Sequence, residues 1–219
     1  MRRAGLAGPS RTILLTGYSY YGRFMWNPTE EVVEMLRGRV YRGFRVEGLV
    51  LPVSLRRVRR VLLEKLEELS PAAAVGLGLS PRVTKLVVEL VSANLAYFEA
   101  PDIDGYRAQL EPVVEGWPPI ARTSIPVEKV VEICARRRGL PLRPGVGIGT
   151  YLCNAAGFIE MAWAERTGRI GGFVHVPPHT ELSMRLGLGY SLPLSVIMES
   201  VECILEVVAE ELERRGKTL

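Results

Sequence analysis

The chain has 219 residues, 47% of them hydrophobic and 24% charged, enough apolar content to bury a substantial core and too much for a disordered chain. Its longest apolar runs, such as Gly48 to Val53 and Ala72 to Leu79, are strand-length and far short of the roughly 20 residues a membrane-spanning helix needs. The net charge is +4, and all but four of the 28 basic residues are arginine. One basic cluster, SLRRVRRVLLEKLEEL, is followed by acidic residues and has no interleaved aromatics, so it reads as a solvated helix face rather than a nucleic-acid surface.

Short apolar runs alternate with amphipathic stretches, the pattern of a single three-layer α/β/α domain with a mostly parallel twisted sheet. The opening MRRAGLAGPSR lacks the apolar core of a secretory signal and is expected to be a loose tail over residues 1–11; the domain then runs 12–219, and a soluble cytoplasmic protein is the expectation. RTILLTG is predicted to be the first strand, ending at Gly17. NPTEEVVEMLRG follows as a helix, with Asn27 as N-cap, Pro28 in the first helical position and Gly38 as stop. EGLVLPV is a second central strand, and Ser54 to Leu69 a helix whose apolar face is Val58, Val61, Leu62, Leu66 and Leu69. AAAVGLGL is a strand of small residues. Residues 92–124 read as irregular, with a hairpin on the sheet edge. VEKVVEICARRRG is a helix, PGVGIGTYLCNAAGFIEMAWAERTG a strand, a glycine turn and a helix, GGFVHVPP a strand, and LPLSVIMESVECILEVVAEELERRG a long closing helix.

The cysteines are Cys134, Cys153 and Cys203, an odd number without paired spacing, so no disulfide framework or CxxC pair is expected. His175 and His179 lie four apart, but Pro177 and Pro178 between them exclude the one-face helical spacing of a zinc pair, and no metal site is expected.

In parallel α/β sheets reactive residues gather just beyond the carboxyl ends of strands. Cys153 lies there, after Gly145, Gly147 and Gly149 and at the start of a helical stretch. A thiol at a helix N-terminus feels the positive end of the dipole, which favours the thiolate, and the free N–H groups of that turn can hold an oxyanion. A small buried core cysteine is the equal alternative. His175 alternates with Val174 and Val176, so it faces away from them near the strand end; it is either the base for a thiol or a hydrogen-bonded structural histidine. His179 reads as a surface residue. Glu89 stands in an otherwise apolar run, PRVTKLVVELVSAN, and so points to solvent or has a cationic or imidazole partner. The loop TGYSYYGRFMWNPT carries Tyr18, Tyr20, Tyr21, Phe24 and Trp26, which either wall a flat ligand or pack under the sheet edge.

Taken together, these segments resemble the pyroglutamyl peptidase I family of cysteine peptidases. TGYSYYGRFMWNPT is similar to a family pattern of the type TGFxPFGxxxxNPT, SPRVTKLVVELVSAN to its glutamate segment, GTYLCN to its cysteine segment and FVHVP to its histidine segment. The resemblance implies a Cys153, His175 and Glu89 triad, with Glu89 orienting the imidazole and His175 activating the thiol for attack on a pyroglutamyl carbonyl. It further implies that Tyr18, Tyr21, Asn27, Tyr151 and Leu152 line the substrate site, and that the partner is a small peptide with a blocked N-terminus. Neither nucleic acid nor membrane is implied as a partner, no cofactor is needed, and a homo-oligomer, dimer or tetramer, is expected. Several positions depart from the pattern. Tyr18 and Tyr21 stand for two phenylalanines, so each hydroxyl needs a partner. Leu90 and Glu99 stand where the pattern has arginines, Gly147 and Ile148 stand for a serine and alanine, and Arg82 is a candidate replacement cation. A related hydrolase of altered specificity, or a non-catalytic relative used for binding, are the alternatives.

Overall fold

The computed structural model describes residues 10–20, 22 and 26–217. Most of the expected tail, together with Tyr21 and Phe24, lies outside the described residues. The first strand, β1 (Thr12–Tyr18), is buried along nearly its whole length and runs down the middle of the sheet. Asn27 then caps α1 (Pro28–Leu36), its side chain accepting the Thr29 N–H at 3.1 Å. A short hairpin, β2 (Val40–Tyr41) with β3 (Phe44–Leu51), returns the chain beside β1. Ser54 caps α2 (Leu55–Leu69), and β4 (Ala73–Leu79) follows on the other side of β1.

From here the topology departs from simple alternation. β5 (Leu86–Glu89) lies beyond the later strand β9 (Ile170–Val176) and pairs with it antiparallel, while β8 (Leu142–Gly145) closes that edge parallel to β5. The order is β2-β3-β1-β4-β9-β5-β8. The hairpin expected on the sheet edge is instead a separate two-stranded sheet, β6 (Val91–Ala93) with β7 (Ile120–Arg122), packed on α4 (Leu152–Thr167). A helix expected over VEKVVEICARRRG starts as α3 (Val127–Val130) and widens into π-type turns over Val131–Arg137. Two helices end the chain, α5 (Thr180–Leu186), which sequence patterning does not reveal, and α6 (Leu194–Gly216). No helix among the described residues is long and apolar enough to cross a membrane.

The sheet divides the interior into two cores. On one face Val33 and Leu36 of α1, Val130 of α3 and Ile204 and Val208 of α6 pack on Ile13, Leu15, Val75 and Val174. On the other face α2 and α4 pack on Leu14, Tyr18, Ala74 and Phe173. These are the three layers that the alternating pattern predicts. Part of the basic cluster on α2 is paired within the chain: Arg57 with Asp104 at 2.5 Å and Arg59 with Glu111 at 2.9 Å, while Arg56 stacks over Tyr106.

Two features overturn or extend the sequence reading. Cys134 and Cys203 form a disulfide that joins the π-type turns to α6, contrary to the expectation of no disulfide; a separation of 69 residues hides the pairing from any spacing rule. Both cysteines are fully buried in the apolar core. The second feature is Glu160, an acid in the middle of α4 that is wholly buried against β1 and β4. Thr16 donates a hydrogen bond to one of its oxygens at 2.7 Å, whereas Oε2 has no partner among the described residues. Burial pushes this carboxyl up to about 8, a rise that the Thr16 hydrogen bond partly opposes.

The chain-entropy model gives a cross-link of this loop length about 4 kcal/mol of stabilisation. Converting Cys134 and Cys203 together to alanine is therefore expected to lower the urea unfolding free energy by roughly 2–4 kcal/mol while leaving the Cys153 thiol reactive. For Glu160 the sign follows from its raised folded value: the neutral acid favours the fold at low pH, and that contribution is lost as pH rises through about 8. Thermal unfolding of Glu160→Gln should show a gain over the natural chain that grows between about pH 5 and 9; a pH-independent difference would contradict this assignment.

Candidate active site

Sheet register brings three distant residues together. β4 and β9 run parallel with Gly78 opposite His175, and β5 runs antiparallel with Glu89 opposite Phe173. Paired residues project to the same face, so Glu89 and His175 are diagonal neighbours within side-chain reach. His175 Nδ1 meets Glu89 Oε1 at 2.7 Å. The second carboxylate oxygen accepts the Gly147 N–H at 2.8 Å, from the glycine turn that leads into α4. Glu89 is 1% exposed and His175 5%, so the solvent-facing alternative for the carboxylate fails and its partner is an imidazole.

Cys153 is the second residue of α4 and is half-buried, the most accessible of the three. Its sulfur lies over Gly78, where an added Cβ would come within 2.7 Å of it. Because Gly78 is the register partner of His175, the thiol and the imidazole occupy adjacent places on one sheet face. Burial of His175 acts to lower its pKa, but its hydrogen bonds with Cys153 and Glu89, and their charges, outweigh it and raise the ring to about 9. Phe173 packs its ring edge-on to the imidazole, 5.5 Å between centroids, and fixes the ring plane.

The N-terminus of α4 is held in place by Asn154, which motif reading passes over. Its side chain accepts from Ser92 Oγ at 2.9 Å and the Ala93 N–H at 3.0 Å, and donates to the carbonyls of Ala93 and Leu95. An asparagine directly after a candidate nucleophile, where the helix starts, is the only sequence signal for this role. The N-cap residue Tyr151 makes no side-chain capping bond, and the first-turn N–H groups of α4, those of Cys153 and Asn154 among them, have no acceptor within the helix.

The remaining expected site residues are placed as follows. Tyr18 ends β1 under the start of α4, with 4% of its surface exposed, and its hydroxyl finds its partner in the Leu152 carbonyl at 2.5 Å. Leu152 itself is buried. Tyr151 packs on Phe98, centroids 4.4 Å apart, at the rim. Asn27 is spent on structure: besides capping α1, its amide donates to the Ser19 carbonyl and its oxygen accepts from the Thr29 hydroxyl. Tyr21 lies outside the described residues. Tyr20 and Trp26 are exposed, Trp26 under the Arg185 guanidinium. Glu99 and Arg82 are both exposed, so water screens the charges at both positions. His179 is a correction. It is buried, not a surface residue, because Nδ1 caps α5 by accepting the Leu182 N–H while Nε2 meets Glu31 at 3.0 Å.

A profile of the pyroglutamyl peptidase family matches residues 11–211 of this chain. The chain belongs to the pyroglutamyl peptidase family. It is 31% identical over 206 residues to the pyrrolidone-carboxylate peptidase of Pyrococcus furiosus, covering 91% of this chain and 99% of that one. It is 32% identical over 205 residues to the protein of the same name from Coprothermobacter proteolyticus, covering 92% and 99%. Among solved structures, pyrrolidone carboxyl peptidase from P. furiosus superposes with a TM-score of 0.87 at 30% identity, over 92% of this chain and 99% of that one. The α/β architecture with its mostly parallel sheet is thus shared with these structures.

Because the bond to the thiol is one of two that raise His175, removing it leaves burial less opposed. The ring of Cys153→Ala should titrate below the natural value of about 9, followed by NMR of the His175 imidazole protons. An unchanged midpoint would mean that the thiol does not contact the ring.

Proposed function

We propose that the chain removes N-terminal pyroglutamate from peptides by acyl transfer through Cys153. The observation that carries this reading is a half-exposed sulfur seated over Gly78 beside an imidazole whose far nitrogen is held by a buried carboxylate. Family membership and the names of the relatives support the substrate class.

In this reading Glu89 fixes the tautomer and orientation of His175 and stabilises its protonated form. His175 takes the Cys153 proton, and the sulfur attacks the pyroglutamyl carbonyl. The carbonyl oxygen gains negative charge as the S–C bond forms, and in this reading the first-turn N–H groups of α4 donate to it. When the C–N bond breaks, His175 returns the proton to the leaving amine. Water, deprotonated by His175, then attacks the acyl-enzyme, releasing pyroglutamate and the thiol. A ring raised to about 9 holds its proton firmly, which suits a base that must keep the thiol's proton until the amine leaves. Asn27 contributes by tying Ser19, just after β1, to the start of α1 rather than by touching substrate.

The purified protein should release a chromogenic amine from a pyroglutamyl amide and none from the matching prolyl amide. Cys153→Ala should abolish release, and Glu89→Gln, which removes the charge and can accept from only one of His175 and Gly147, should lower kcat by roughly 100-fold or more. Full activity in Cys153→Ala would overturn the reading.

A further inference from the structure

Tyr18 is bonded in a way that neither a wall for substrate nor a core filler requires. Its hydroxyl donates to the Leu152 carbonyl at 2.5 Å, across a separation of 134 residues, from a ring almost wholly enclosed. Leu152 is the first residue of α4, and its carbonyl belongs to the same peptide unit as the Cys153 N–H. A carbonyl oxygen has two lone pairs, so it can accept from Tyr18 and still serve the helix. Drawing electron density to that oxygen makes the amide N–H at the other end of the unit a stronger donor, the usual polarisation along a chain of hydrogen bonds.

We infer that Tyr18 is a positioning residue for the oxyanion, holding and polarising the Leu152–Cys153 peptide so that the Cys153 N–H binds the developing negative oxygen more strongly. The inference rests on the acyl-transfer reading above and extends it to this side chain. The tyrosine is itself held firmly. Its N–H donates to Thr29 Oγ1 at 3.0 Å, and the next residue's N–H bonds the Leu51 carbonyl at 3.1 Å. The backbone that carries the ring is therefore tied to α1 and to β3. Burial, followed by the nearby acidic groups Cys153, Glu160 and Tyr151, raises the phenol well above its ordinary range, so it remains a neutral donor at every pH where a thiol works.

Two reagents separate an oxyanion role from a merely structural one. p-Nitrophenyl acetate acylates a thiol through a tetrahedral oxyanion, whereas iodoacetamide alkylates it at a saturated carbon and forms none. Tyr18→Phe removes one oxygen and keeps the ring. It should slow acylation of Cys153 by p-nitrophenyl acetate about 10-fold, one hydrogen bond's worth, while alkylation by iodoacetamide stays within about twofold. With a pyroglutamyl amide the loss should fall on kcat and leave KM nearly unchanged. Equal slowing of both reagents, or slowing of neither, overturns the inference. A ring-fluorinated tyrosine at position 18, a stronger hydroxyl donor, should accelerate acylation; it supplies the test if the phenylalanine variant does not fold, and no acceleration counts against the inference. A natural chain that is acylated by p-nitrophenyl acetate yet ignores pyroglutamyl amides removes the substrate assignment alone, and the comparison of reagents still decides the role of Tyr18.

Discussion

Taking a carboxylate and an imidazole out of water together costs several kcal/mol unless each satisfies the other. Glu89 and His175 meet that condition with a 2.7 Å bond, and the Gly147 N–H satisfies the remaining carboxylate oxygen. The rest of the site is arranged around this pair. The pair needs β5 antiparallel to β9, since that register sets the two side chains diagonally on one face. It also needs the glycine turn after β8, whose backbone reaches the carboxylate while carrying the chain into α4. The turn that satisfies Glu89 is therefore the one that delivers Cys153.

Close approach of α4 to the sheet depends on missing side chains. An added Cβ at Gly78 would lie 2.7 Å from the Cys153 sulfur and 2.6 Å from Phe173, and one at Gly76 would lie 2.2 Å from a Glu160 oxygen. On the helix side, Gly157 faces Phe173 in the same way. The interface is thus two layers deep. Cys153 and His175 lie above, Glu160 and Thr16 below, and the Phe173 ring runs between them past both glycines. That ring keeps the buried acid of the lower layer apart from the thiol while it orients the imidazole of the upper one.

Local patterning made much of this legible. The apolar runs at Ile13–Leu15 and Phe173–Val176 read as strands because each is buried on both faces, and the alternation about His175 placed its ring opposite the valines. Cys153 was readable from the glycines before it and the helical composition after it. Long-range pairings left no local trace. The burial of Glu89 depends on a strand 86 residues away, the Cys134–Cys203 link on a helix 69 residues away, and the polar contacts of His179 on α1. The proline-flanked segment that suggested a surface loop for His179 turns back into α5, where the imidazole replaces a conventional cap. The hairpin expected in residues 92–124 was misplaced for a related reason: its strands are three residues long, and Asn154 of α4 binds the β6 strand by its backbone and Ser92.

The two faces of the sheet carry different duties. The face toward α1, α3 and α6 is packed with Ile, Val and Leu and closed by a buried disulfide; none of the groups discussed for catalysis lies in that core. The face toward α2 and α4 holds Thr16, Tyr18, Glu160, Cys153 and His175, a concentration of polar groups set into an otherwise apolar core. A polar site of this kind is tolerable because its cost falls on one core while the other retains full apolar contact and a covalent tie. α4 gains support from neither the disulfide nor the apolar core opposite. Its placement at the nucleophile end instead relies on directed bonds, from Asn154 to the strand of Ser92 and from Tyr18 to Leu152. These bonds fix the position of the backbone that carries the thiol more narrowly than apolar contact alone, which tolerates sliding.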